Sequence, residues 1–132
     1  MKKKFITLIT LLLFTFSANS QEKQNVTVQP KQVSENSVYK LYPTPNMYTF
    51  IKLNTRNGQM WQVQWGLEDK YRFETILSET PRVYIDEEKN GRFILYSTTN
   101  TYNLLLLDQI DGRVWQVQWS LEADSRGVMR IF

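Results

Sequence analysis

The chain has 132 residues, a net charge of +3, and neither cysteine nor histidine. Without these two residue types, disulfide bonds, Cys/His zinc sites, cysteine nucleophiles and the Ser-His-Asp triad are excluded. The positive charge comes from three lysines near the N-terminus, because the thirteen basic residues after Gln21 are balanced by thirteen acidic ones. Since nucleic-acid binding depends on a surplus of basic residues, we expect no nucleic-acid partner.

The first twenty residues have the pattern of a secretory signal peptide. Lysines at positions 2–4 are followed by a short apolar run at 5–16, and positions 18–20 offer the small residues that a signal peptidase recognises. The apolar run is shorter than the roughly 20 residues of a membrane-spanning helix. We therefore predict cleavage after Ser20, a periplasmic or secreted protein, and no transmembrane segment after cleavage.

Residues 21–36 are polar and lack large side chains, which predicts a flexible lead-in. Four strand-like stretches then follow, separated by turn-forming residues, and predict a β-meander. Asn57-Gly58 is a strong hairpin signal, as is Asp111-Gly112 further along, because glycine adopts the positive φ of a tight hairpin. The predicted strands are residues 37–42, 48–54, 59–65 and 71–77.

Residues 41–68 recur at positions 95–122 without a gap, and 14 of these 28 positions are identical. This agreement indicates a tandem duplication with a period of about 54 residues. We therefore predict an all-β fold in which two antiparallel meanders pack as one small barrel-like or sandwich domain. The predicted domain is 37–132, with repeats 37–77 and 92–132 joined by 78–91, and the strands of the second repeat are 92–96, 102–108, 113–119 and 126–132.

The pentapeptide WQVQW occurs once in each repeat and contains all four tryptophans of the chain. Alternate residues of a strand share a side of the sheet, so each copy predicts a tryptophan face and an opposite glutamine face. Large apolar residues in phase are mostly buried, which favours a structural core over an exposed platform that stacks on sugar rings or bases. The predicted core residues are Trp61, Val63, Trp65, Trp115, Val117 and Trp119. The glutamines at 62, 64, 116 and 118 are left without an assigned role.

The second strands of the two repeats differ at one informative position. The second repeat has four consecutive leucines, whereas the first has Lys52 at the position of Leu106. A strand covered on both sides is apolar throughout, and a lone lysine is typical of an edge strand. We therefore predict that one face of the first repeat is wetter, or nearer an edge, than its counterpart.

The loop after the first strand of each repeat is the predicted binding surface, because loops carry function more often than strands do. In the first repeat its two prolines restrict the backbone, which would offer a partner a pre-ordered surface. The structural alternative is that the asparagines cap these turns and the tyrosines pack on the sheet edge. The residues proposed for partner binding are Tyr42, Asn46, Tyr48, Tyr96, Asn100 and Tyr102.

Through "LLLLDQIDGRVWQVQW", the chain resembles small uncharacterised exported bacterial β-repeat proteins that carry "YPTxNxYxFLLLDxxxGRxWQVQW", often in two copies. This resemblance implies a secreted or periplasmic β-protein and brings no known activity. The chain also has a weak similarity to quinoprotein-type β-propeller blades with "ALDxxTGxxxW". Asp108, Gly112 and Trp115 fall near those positions, although the glycine-to-tryptophan spacing differs. Since propellers have about four to eight blades, two repeats would need self-association to form one.

These features predict an exported, non-catalytic binding or structural module of the bacterial cell envelope, with an unknown protein or glycan as its partner. No cofactor or metal is predicted, because the acidic stretch 86–88 lacks the alternating oxygen ligands of a calcium loop. The alternative is an immunity or inhibitor protein for a secreted toxin or hydrolase. A carboxylate-dependent glycoside hydrolase is favoured less, and its candidate residues are Glu68, Glu122, Asp108 and Asp111.

Overall fold

The computed structural model describes residues 36–132 and shows an all-β fold, as predicted. The predicted signal peptide and the predicted lead-in, apart from Asn36, lie outside the described residues. Within 36–132, no helix is long and apolar enough to cross a membrane. Each of the eight strands begins and ends within two residues of its predicted bounds. The strands are β1 (Tyr39–Pro43), β2 (Thr49–Asn54), β3 (Met60–Gln64), β4 (Phe73–Ser78), β5 (Phe93–Ser97), β6 (Asn103–Asp108), β7 (Val114–Gln118) and β8 (Gly127–Ile131).

The strands form two antiparallel sheets, ordered β1-β2-β3-β4 and β5-β6-β7-β8. Each strand pairs with its neighbour in sequence, and the predicted hairpin glycines Gly58 and Gly112 have φ values of 79° and 71°. Within residues 36–132, no strand pairing joins the two sheets. Because a barrel requires closure of the sheet on itself, the barrel-like alternative is wrong.

The second sheet buries its tryptophan face, which is the side that carries Trp115. Trp115, Val117 and Trp119 lie in the hydrophobic core, and only 1% of the Trp119 surface is exposed. Alternate residues of β5 and β6 share this face and complete its apolar surface. These residues are Phe93, Leu95, Leu104 and Leu106.

The first sheet buries the opposite side, so the predicted core role of Trp61, Val63 and Trp65 is wrong. Trp61 and Val63 are half-buried, and 42% of the Trp65 surface is exposed. Gln62 is fully buried instead, because the glutamine face of this sheet points into the core. The apolar core residues of the first sheet are Ile51, Leu53, Met60 and Leu77.

Charge on the tryptophan face explains this choice. Lys52 lies beside Trp61 on that face, and its Nζ forms an ion pair with Glu74 Oε1 at 2.6 Å. Burial of this face would remove both charges from water, whereas the glutamine face offers Ile51 and Met60. The predicted wetter face of the first repeat is therefore confirmed. The edge-strand explanation of Lys52 is wrong, since β2 is an interior strand.

The buried residues of the two sheets form one hydrophobic cluster, on which Tyr42, Val83 and Val128 also pack. β2 approaches β5 and β4 approaches β8. The backbone N–H of Ser120 in the second half of the chain donates to Gln62 Oε1 at 3.3 Å. The glutamine face of one sheet therefore meets the tryptophan face of the other, and unlike faces are in contact.

Candidate functional site

The loops after β1 and β5 are ordered by their own hydrogen bonds. Asn46 Oδ1 accepts a hydrogen bond from the backbone N–H of Tyr48, and Asn100 Oδ1 accepts one from that of Tyr102, each at 2.9 Å. In both loops, the hydroxyl of the threonine two residues earlier also donates to the asparagine carbonyl oxygen. Both asparagines therefore cap their turns, which is the structural alternative described above, and the loop backbones are held in place without a ligand.

A tyrosine–tryptophan pair fastens each loop to its sheet. The ring centroids of Tyr48 and Trp65 are 5.2 Å apart, and those of Tyr102 and Trp119 are 5.3 Å apart. The indole N–H of each tryptophan donates to a loop carbonyl oxygen, at 2.9 Å from Trp65 and 3.0 Å from Trp119. Both tyrosines remain about half exposed, so each combines a structural contact with a face open to a partner.

The other two predicted binding tyrosines lie away from the loop tips. Tyr42 packs on the core and hydrogen-bonds with the backbone of Leu95, and burial raises the pKa of its hydroxyl group. Tyr96 pairs with Leu105 on the glutamine face of the second sheet, where it is about half exposed. The structure therefore separates Tyr42 and Tyr96 from the loop surface that the sequence assigned to them.

A cavity of about 780 Å³ lies between the two loops and the segment that follows β7. Asn46 and Asn100 reach it from the two loops, and half-exposed Tyr102 contributes aromatic surface beside the buried Trp119. Glu122 supplies the only charge among its described lining residues. Side-chain amides provide both donors and an acceptor, so this cavity suits a neutral ligand with many hydroxyl or amide groups. The lining amides are Asn46, Asn100, Asn103 and Gln118.

Asn103 and Gln118 belong to this cavity but were not predicted as site residues. Gln118 Nε2 donates to the carbonyl oxygen of Ser125 at 2.8 Å, and Gln116 Nε2 donates to Asn103 Oδ1 at 2.7 Å. These bonds hold the amides in fixed positions around the opening. The repeated glutamines were a signal in the sequence, but strand alternation alone does not show which loops lie beside them.

The first sheet has a smaller cavity of about 410 Å³ at the corresponding place. It is lined by Tyr48, Gln64, Trp65, Leu67 and Glu68, among others. These positions repeat in the larger cavity 54 residues later. Each repeat therefore forms a concave surface beside its tyrosine–tryptophan pair, but of these two cavities only the larger one receives residues, Pro45 and Asn46, from the loop of the other repeat.

The candidate catalytic glutamates do not face each other. Glu68 lines the smaller cavity and Glu122 the larger one, and both side chains are exposed. Glu68 also forms an ion pair with Lys70, with Oε2 and Nζ 3.0 Å apart. A glycosidase requires two carboxyl groups about 5–10 Å apart across one sugar-binding cleft, and this pair is not arranged around one cleft.

The candidate Asp108 is fully buried in an ion cluster with Arg92, Arg113 and Asp111. Burial opposes its ionisation, yet hydrogen bonds from Arg92, the Ile110 amide and Arg113 lower its pKa to about 2. Its Oδ1 lies 2.9 Å from Arg92 Nε, and its Oδ2 lies 2.9 Å from Arg113 Nη2. Asp108 is therefore charged at neutral pH and anchors the β6–β7 turn. This arrangement removes it from contact with a substrate.

Within residues 36–132, no group of three or more acidic side chains converges in a way that could hold a metal ion. No protein-family model, curated protein or solved structure matches the chain.

Proposed function

We propose that the protein is an exported, non-catalytic module of the bacterial cell envelope that binds a neutral, hydrogen-bonding partner in the larger cavity. The partner is a glycan or the polar surface of a protein. The main support is a cavity of about 780 Å³ with four amides and an exposed tyrosine in its wall. Export is supported by the signal-peptide pattern of residues 1–20.

Two matching repeats packed as a sandwich form the scaffold in this proposal. The pairing of β1 with β2 recurs in β5 and β6 with a shift of 54 positions: Tyr39 opposes Asn54, and Phe93 opposes Asp108. The tyrosine–tryptophan pairs and the capped loops recur with the same shift. Duplication supports the proposed site because it places two similar loops at the same end of the domain, where both reach one cavity.

Pre-ordering of the loops favours binding at this place. A ligand that meets an ordered loop does not have to restrict the loop on binding, and this reduces the entropic cost of association. The turn hydrogen bonds of Asn46 and Asn100 use their carbonyl oxygens, so we expect their Nδ2 groups to face the ligand. In this proposal Tyr102 packs against the ligand through its exposed side.

A glycan array and a pull-down from envelope extracts would identify the partner, and Tyr102→Ala would test the site. We expect this change to weaken binding about tenfold, equal to about 1.4 kcal/mol. Tyr48→Ala is a matched control because Tyr48 has the same tryptophan contact but lines the other cavity. Thermal melts should show similar destabilisation of both variants. Equal loss of binding in the two variants, or turnover of a substrate instead of binding, would contradict the proposal.

A further inference from the structure

Inside the chain, the two sheets pack with unlike faces together, which is a head-to-tail contact. One face of each sheet, a tryptophan face and a glutamine face, therefore stays uncovered. The internal contact buries the glutamine face of the first sheet and the tryptophan face of the second. The tryptophan face of the first sheet and the glutamine face of the second remain outside. Each uncovered face is the repeat-related counterpart of a face that is already buried, at positions shifted by 54.

The uncovered tryptophan face is apolar over most of its area. Leu41 and Ile76 are 59% and 53% exposed, and Phe50, Trp61 and Val63 are half-buried. Its ionic groups, Lys52 and Glu74, neutralise each other. Lys52 also lies 4.7 Å from the centroid of the Trp61 ring, so the aromatic surface covers part of the charge.

The uncovered glutamine face is also apolar, and its strand residues carry no charge within β5–β8. Met129 is 50% exposed, and Leu105, Leu107 and Val114 are half-buried although no other sheet within residues 36–132 covers them. Large exposed apolar patches on soluble proteins usually mark interaction sites. A monomer therefore exposes an apolar face to water on each of the two outer sides of the packed sheets.

We propose that a second copy of the chain covers these faces, with the tryptophan face of one copy on the glutamine face of the next. The internal sheet contact supplies the template, since this packing brings together the same two kinds of face. Such a contact is heterologous, so an open assembly retains one free tryptophan face at one end and one free glutamine face at the other, and growth ends only when a ring closes.

Two internal contacts identify what the junction would contain. Gln62 Oε1 accepts from the N–H of Ser120 inside the chain, and the repeat-related pair across the junction is Gln116 with the N–H of Gly66. Tyr42 hydrogen-bonds with the backbone of Leu95, and the corresponding junction pair joins Tyr96 to Leu41. This contact would give exposed Tyr96 a role that the loop cavity does not provide.

Ring closure limits the number of copies. Rings of four-stranded meanders usually contain about four to eight sheets, so two sheets per chain lead to assemblies of about two to four copies. This inference does not depend on the proposed ligand cavity, because that cavity lies at the loop end and the junction lies on the sheet faces.

The test compares three lysine substitutions in the purified protein. Val63→Lys disrupts only the uncovered tryptophan face and Leu105→Lys only the uncovered glutamine face. Ile85→Lys is the control, at a residue that is 85% exposed outside both sheets. We expect the wild type and the control to form a closed oligomer in light scattering and native mass spectrometry. Each face variant should associate about a hundredfold more weakly, because a charge would be buried without a partner.

Mixing the two face variants decides between head-to-tail and face-to-like-face contact. Val63→Lys keeps an intact glutamine face and Leu105→Lys keeps an intact tryptophan face, so an equimolar mixture should form a one-to-one dimer and nothing larger. Circular dichroism and thermal melts establish that both variants are folded. A wild type that stays monomeric at millimolar concentration, a single face variant that still assembles, or a mixture that stays monomeric would each overturn the proposal.

Discussion

The two sheets carry the same pentapeptide but bury opposite sides of it. Trp119 is 1% exposed and Trp65 is 42% exposed, although both indoles contact a tyrosine at nearly the same distance and donate to a loop carbonyl oxygen. The local structure of the pentapeptide is thus the same in both repeats, and its burial is not. Alternation in a strand determines which residues share a face, and the rest of that face determines which side is buried.

Residues outside the pentapeptide account for the difference. Lys52 and Glu74 lie on the tryptophan face of the first sheet, and the corresponding positions of the second sheet hold Leu106 and Val128. These two apolar residues favour burial of this face in the second sheet, where the charges that remain are compensated: Asp108 pairs with Arg92, and Arg130 lies over the Trp115 ring. In the first sheet, burial of the face that carries the Lys52–Glu74 ion pair costs more than burial of the glutamine face, so the glutamine face turns inward with Gln62.

The largest difference in the free energy of unfolding is expected between variants of the matched tryptophans Trp119 and Trp65. Trp119→Ala should reduce the free energy of unfolding by about 3–5 kcal/mol, as for other buried aromatic truncations, and Trp65→Ala by about 1 kcal/mol because its ring is already partly in water. Urea unfolding should be measured at a concentration where light scattering shows monomers, since assembly would cover Trp65. Equal losses would mean that the two repeats bury the same face.

The next largest difference in the free energy of unfolding is expected between variants at Asp108, which is buried and charged, and variants at Asn54, the neutral residue at the corresponding position of the first repeat. Asp108→Asn should cost about 3 kcal/mol at pH 7, because Arg92 loses its main buried partner. The pKa of Asp108 is lowered from 3.8 to about 2 in the folded protein. Its contribution is therefore complete above about pH 4 and is lost as the pH falls toward 2 and below.

Unfolding curves between pH 7 and pH 2 check this expectation. The stability gap between wild type and Asp108→Asn should shrink by about 2 kcal/mol over the acid limb. Asn54→Ala is a useful control, since it disturbs the equivalent turn without removing a charge. A gap that is constant with pH would show that the carboxylate does not titrate with the lowered pKa.

A smaller difference is expected between the matched glutamines. Gln62→Ala should cost about 2 kcal/mol, because it opens space in the core and leaves the N–H of Ser120 unpaired. Gln116→Ala should cost about 0.5–1 kcal/mol in the monomer, since Gln116 is half-buried and loses mainly its bond to Asn103. Urea unfolding of the two variants in parallel measures both values, and a larger loss at Gln116 would reverse the assignment of the buried face.

The smallest difference is expected between the hairpin glycines. Both have positive φ, so alanine should cost about 1 kcal/mol at either position. An added Cβ at Gly58 would lie 2.7 Å from Arg82 Cγ and 3.2 Å from Phe93 Cδ1, whereas nothing lies within 4 Å at Gly112. We therefore expect Gly58→Ala to lower the melting temperature more than Gly112→Ala does. Equal shifts would indicate that the segment carrying Arg82 moves freely.

Local features of the fold were predictable from the sequence, and features formed by distant segments were not. The strands and the Asn-Gly and Asp-Gly hairpins depend on residues close together in the chain, as do the caps at Asn46 and Asn100. The larger cavity depends on two loops 54 residues apart, so residue order does not reveal that Asn103 and Gln118 share it with Asn46.

The buried face was predictable in part. Lys52 occupies the position that Leu106 has in the second repeat, and this correctly indicated a wetter face in the first repeat. The repeated tryptophans, however, favoured a symmetric core. The ion cluster also had a signal, because Asp108 and Arg113 replace Asn54 and Gln59 of the first repeat. Its meaning depends on Arg92, which lies just before β5 and whose side chain contacts Asp108 across 16 positions of sequence.

Every strand pairing described here joins neighbours in the chain, and this has a consequence for folding kinetics. Short hairpin connections keep the entropic cost of loop closure in each sheet small, so each sheet can form independently of the other. Contacts between residues far apart in sequence then arise mainly when the sheets dock. Because folding rates rise as contact order falls, we expect refolding faster than in Greek-key sandwiches of this size, with docking of the two halves as the rate-limiting event.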